Sequence, residues 1–87
     1  MTEFEFDKRK SQINKKKHGI DFIEAQSLGE DADRVEIPAK SIDEERYLLI
    51  GTISDKCWSA ILSYRAEKVR IISVRRSRKE EVEIYES

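Results

Sequence analysis

Apolar and polar residues alternate at the start of the chain, in Glu3-Phe4-Glu5-Phe6, and this period of two predicts a short strand with both aromatics facing inward. Asp7 follows at an N-cap position and opens a helix through about Lys17, which Gly19 stops after Lys17-His18. That helix has little apolar surface, mainly Ile13, which places it at the periphery. Asp21-Phe22-Ile23-Glu24 reads as an Asp variant of the capping box and begins a second helix to about Leu28. Phe22, Ala25 and Leu28 recur every three residues as its buried stripe. Residues 29–34 are acidic and loop-like.

The second half returns to strand patterning. Residues 34–37 form a short strand that Pro38 confines to an edge or an end. A polar connection, Lys40 to Glu45, leads into a strand from Arg46 to Ile53. A turn at Ser54-Asp55-Lys56 precedes a strand from Cys57 to Arg65, with Trp58, Ala60, Leu62 and Tyr64 on one face. Ala66-Glu67-Lys68 turns the chain back into Val69–Arg76, and the three strands make an antiparallel meander. Ser77-Arg78-Lys79-Glu80 reads as a capping box for a terminal helix to about Glu86. The expected architecture is a single α+β domain over residues 1–87: strand, two helices, meander, helix.

The last strand is unusual in its charge. It carries Arg70, Arg75 and Arg76, with Arg65 just upstream. Arginine grips phosphate oxygens bidentately and stays charged when partly desolvated. The plainer reading is that these residues pair with nearby carboxylates on a solvated face. Register decides which of them act together. A two-residue turn at Ala66-Glu67 pairs Tyr64 with Val69 and sets Arg65 beside Arg70 and Arg76. A three-residue turn pairs Tyr64 with Arg70 and sets Arg65 on the face of Ser73 and Arg75. A one-residue slip reverses the face, and neither turn holds the Gly or Asn that chooses between them.

Charge distribution sharpens the picture. The net charge is −1, yet residues 8–17 hold six bases and residues 65–79 hold seven against the single acid Glu67. Residues 21–45, between them, hold nine acids and only Arg34 and Lys40 as bases. If folding joins the two basic blocks, they form a local anion site on a near-neutral protein. Cys57 is the only cysteine, which excludes an internal disulfide and fits a reducing cytoplasm. One Cys and one His do not assemble a zinc site of the usual ligand count. No apolar run of membrane length and no secretory leader is expected.

Phe4-Glu5-Phe6-Asp7, Lys10, Asn14, Lys17-His18-Gly19-Ile20, Phe22 and Glu24-Ala25 resemble the first half of BrnT-type toxins. Glu45-Arg46-Tyr47, Ile50-Gly51, Arg65, Arg70-Ile71-Ile72-Ser73, Arg75-Arg76, Glu81 and Tyr85 resemble the second half. The chain departs from the family pattern at Val74, Ser63, Leu28-Gly29-Glu30-Asp31 and Lys56-Cys57-Trp58. The resemblance implies a RelE-like fold and a metal-independent endoribonuclease that cleaves RNA and inhibits translation. It also implies neutralisation by a ribbon-helix-helix antitoxin similar to BrnA, which alone contacts DNA, and no cofactor.

Cleaving RNA without a metal requires the 2′-hydroxyl to lose a proton, the phosphorane charge to be neutralised and the 5′-oxygen to gain a proton. Arg65 and Arg75 are the preferred phosphate ligands, with Arg70 and Arg76 as alternates and Lys17 as a further positive charge. His18 is the side chain expected to titrate near neutrality without tuning. Glu81 is a candidate base, and Tyr85 a candidate acid or stacking platform. Plainer roles stand beside these: His18 capping carbonyls, Glu81 neutralising Arg78 or Arg76, Tyr85 and Trp58 packing. A second reading is a non-enzymatic module that docks a DNA-binding partner and assists repression of its operon.

Overall fold

The structure is a computed structural model that describes residues 3–39 and 45–87. The expected polar connection from Lys40 lies, but for Glu45, outside the described residues. The elements are β1 (Glu3–Glu5), α1 (Lys8–His18), α2 (Phe22–Ala25) with a 3-10 turn (Gln26–Glu30), β2 (Val35–Ala39), β3 (Arg46–Ile53), β4 (Lys56–Arg65), β5 (Lys68–Arg76) and α3 (Lys79–Glu86). The class is α+β. The sheet is mixed rather than purely antiparallel, in the order β1-β5-β4-β3-β2, because β1 joins β5 in parallel. The meander β3-β4-β5 is antiparallel, and β2, with Pro38, is an edge strand.

One face of the sheet carries the core. Leu49, Ala60, Leu62, Val69, Ile71 and Val74 pack there against Ile20, Phe22, Ala25 and Leu28 from the helical layer. The stripe expected of the second helix is buried, but only its first turn is α-helical. Asp21 completes the capping box: its carboxylate accepts from the Glu24 N–H at 2.8 Å, and Glu24 accepts from the Asp21 N–H at 3.1 Å. The last turn tightens to 3-10 and carries Leu28 fully inside.

Helix α1 starts at Asp7, whose carboxylate accepts from the Arg9 and Lys10 N–H groups, and stops at Gly19 in the left-handed region, φ 81°. Its anchorage is polar. Ile13 is 56% exposed, whereas Ser11 and Asn14 are buried. The Asn14 amide donates to the carbonyls of Ile20 (2.8 Å) and Val74 (2.9 Å) and accepts from the Val74 N–H (3.3 Å). Strand β1 pairs with β5 only from Lys68 to Arg70, so Asn14 supplies the edge partners that β5 lacks further along.

The terminal helix begins one residue later than the sequence pattern implied. Its N-cap is Arg78, and Glu81, not Glu80, reaches back to the Arg78 N–H at 2.8 Å. Ser77 is drawn away by a 2.7 Å contact with the Ser59 hydroxyl. Among the described residues, no helix is long and apolar enough to cross a membrane.

Candidate nucleic-acid interface

The β4–β5 hairpin turns through two residues. Tyr64 pairs with Val69 and Arg65 with Lys68, and Ala66 takes the turn's left-handed position at φ 54°. Past Leu62–Ile71 the register shifts, because Ile61 pairs with Ser73 and leaves Ile72 as an extra residue. A bulge of this kind reverses which side chains point up and down along the rest of a strand. Arg70 opposes Ser63 and Arg75 opposes Ser59, so both share a face with Arg65. Arg76 opposes Trp58 on the core face, where its guanidinium stacks 5.4 Å from the indole centroid. The arginine set is thus a hybrid of the two registers considered from sequence. Turn length alone sets Arg65 beside Arg70, and the bulge exchanges Arg76 for Arg75.

The face that carries these arginines is opposite the layer of α1 and α2, and α3 crosses one end of it, where Glu81 meets Ser59 and Arg75 and Tyr85 meets Thr52. The middle of the face holds the half-buried Ile37, Leu48, Ile61 and Ile72. Arg65 and Arg75 stand six residue positions apart along β4, about 20 Å at strand rise. They do not converge on one phosphate. Arg65, Arg70 and Lys68 form one cluster; Arg75 belongs to another.

Arg75 is committed to Glu81. Its two terminal nitrogens lie 2.7 and 2.8 Å from the two carboxylate oxygens. Glu81 also accepts from the Ser59 hydroxyl at 2.9 Å. The Arg75 guanidinium, with the Arg78 N–H and Ser59 helping, holds the Glu81 carboxyl at about 2 against the opposing effect of burial. A carboxylate this acidic has little proton affinity near neutrality, so the geometry does not poise it as a base. Among the described residues, neither Arg65 nor Arg70 forms an ion pair.

Tyr85 is likewise occupied. Its hydroxyl donates to the Asp31 carboxylate at 2.6 Å and lies 3.4 Å from the Thr52 hydroxyl. Asp31 also accepts from the Thr52 N–H at 2.8 Å. Gly51 makes room for this approach, since a Cβ there stands 3.3 Å from the Asp31 carboxylate and 3.2 Å from Leu28. The Tyr85 hydroxyl bond is the largest influence holding Asp31 down at about 2, and the same bond raises Tyr85. Lys17 and His18 close α1 in a separate basic cluster with Lys15 and Lys16. No described contact joins them to Arg65, Arg70 or Arg75.

Sequence reasoning passed over Asp31, Ser59 and Ser63. Asp31 lay in a stretch read as an acidic loop, and the serines looked like ordinary strand polar positions. Two serines facing the same way as Arg65 on a strand otherwise rich in apolar residues were the available signal. On the helical side, an open groove of about 540 Å³ is lined by Phe4, Leu49 and Leu62 with Glu3, Glu30 and Glu36 among its polar residues. Those carboxylates disfavour a phosphate in the groove.

Among the described residues, Arg65, Lys68 and Arg70 stand together on one face at the hairpin end of an α+β sheet, and neither arginine forms an ion pair. The chain matches the model of the family described as ribonuclease toxin, BrnT, of type II toxin-antitoxin system, over residues 6–81, and it belongs to that family. No curated protein matches it significantly.

Proposed function

We propose that this chain is a metal-independent endoribonuclease that cleaves RNA to inhibit translation, with Arg65 and Arg70 gripping the RNA backbone. The two-residue turn of the β4–β5 hairpin supports this reading above all, because it sets Arg65 and Arg70 on one face, without ion pairs among the described residues, in a ribonuclease toxin family. In the reaction the 2′-oxygen attacks its own phosphorus, the bond to the 5′-oxygen breaks, and the products are a 2′,3′-cyclic phosphate and a 5′-hydroxyl. The proton leaves the 2′-hydroxyl and one returns to the 5′-oxygen. Positive charge is the larger lever here: guanidiniums fixed beside the phosphorane stabilise charge that develops only in the transition state. Arg75, tied to Glu81, serves to fix α3 and the end of β5. Lys17, at the end of α1, extends the positive surface.

A ribbon-helix-helix antitoxin in the cytoplasm is the expected partner. Seated on the half-buried Ile37, Leu48, Ile61 and Ile72, it blocks the arginines beside them. The test is incubation of the purified chain with RNA in excess EDTA, together with expression of the chain alone. Cyclic-phosphate ends and growth arrest are expected. Intact RNA with unimpaired growth overturns the reading.

A further inference from the structure

Ser63 Oγ is a buried side-chain oxygen with no hydrogen-bond partner, on a residue only 2% exposed. Three of its four neighbours on that face are arginines, and the fourth, two residues back along β4, is Ile61. Arg70 lies directly across the ladder on β5, and Arg65 stands two residues along on the same face, opposite Lys68. On the other side, Tyr47 pairs with Leu62, so the preceding residue, Arg46, falls beside Ser63. Glu5 stands outside Arg70 in the same row without an ion pair.

A hydroxyl buried without a partner costs stability, because it has given up water and gained nothing. Alanine fits the same space without that cost. A serine among guanidiniums does have a use: hydroxyl donors and arginines together are the side chains that bind phosphate oxygens in nucleic-acid interfaces. We propose that Ser63 Oγ donates to a non-bridging phosphate oxygen of RNA, in a subsite completed by Arg65 and Arg70. The inference rests on the RNA reading above and adds to it a ligand contact. Arg65, exposed at the hairpin end, and the half-buried Arg70 would supply the guanidiniums for the remaining phosphate oxygens.

The experiment measures affinity for a 2′-O-methyl RNA oligonucleotide, which cannot be cleaved, by fluorescence anisotropy at matched salt, and Tm on the same samples. Ser63→Ala is expected to weaken binding about tenfold, the scale of one hydrogen bond to a charged group, while Tm stays level or rises. Ser63→Thr, which keeps the hydroxyl, is expected to bind as the parent does. Unchanged affinity in Ser63→Ala beside weakened binding in Arg70→Ala overturns this inference alone. Unchanged affinity in both overturns the RNA reading as well. A lowered Tm in Ser63→Ala makes the hydroxyl structural and also overturns the proposal.

Discussion

Glu81 on α3 holds Arg75 on β5 through both carboxylate oxygens, at 2.7 and 2.8 Å, with 11% of the Glu81 side chain exposed. The pair latches the terminal helix to the end of the sheet. Either partner alone leaves a largely desolvated charge behind. Glu81→Gln and Arg75→Ala are each expected to lower stability by about 2–3 kcal/mol in denaturant titration, less than a fully buried pair because Arg75 keeps some solvent contact. An RNA contact at Arg75 would show as lost cleavage with unchanged stability.

Acid weakens the fold through the same latch. Glu81 falls from 4.5 to about 2 and Asp31 from 3.8 to about 2. Both folded values lie below the unfolded ones, so each contributes stability above its unfolded value and loses it as pH falls towards 2. Tm should hold from neutrality to about pH 5 with respect to these groups and drop steeply between about 4.5 and 2. Glu81→Gln should flatten part of that drop; an unaltered acid profile in the variant contradicts the assignment.

Tyr85 tests packing against chemistry. Tyr85→Phe keeps the ring and removes the 2.6 Å bond to Asp31. A lower Tm is expected, with cleavage of RNA retained under conditions where the variant is folded. Lost cleavage at full stability would restore Tyr85 as the acid.

The hairpin that carries Arg65 turns through Ala66 at φ 54°, a region that favours glycine. Ala66→Gly is expected to raise stability by about 0.5–1 kcal/mol, net of glycine's greater freedom when unfolded. Thermal melts of the two proteins decide it.

Much of the scaffold was readable because local chemistry agreed with tertiary packing. Asp7, Gly19 and the Asp21–Glu24 box mark helix ends by hydrogen bonds that sequence neighbours supply. The site was harder. Which arginines share a face depended on a bulge at Ile72, and nothing in Val-Arg-Ile-Ile-Ser-Val-Arg-Arg announces one. The two-residue turn was one of two open registers, and only the ladder chose. Long-range pairs were hidden for the same reason: Glu81 was matched to its neighbours Arg76 and Arg78, while its partner on the sheet is Arg75. The pattern at Ser77 and Glu80 misled by one residue, because Ser59 takes the Ser77 hydroxyl that a cap requires.

The most direct test is the single-turnover rate of RNA cleavage in EDTA by Arg65→Ala and Arg70→Ala, beside Tm on the same samples. Both side chains lack a salt-bridge partner among the described residues, so little stability rides on them. Each substitution should slow cleavage roughly 100- to 1,000-fold, as loss of one transition-state charge donor does, with Tm unchanged. Lysine at either position should restore only part of the rate, since an ammonium lacks the bidentate fork. Full cleavage activity in both alanine variants would contradict the account.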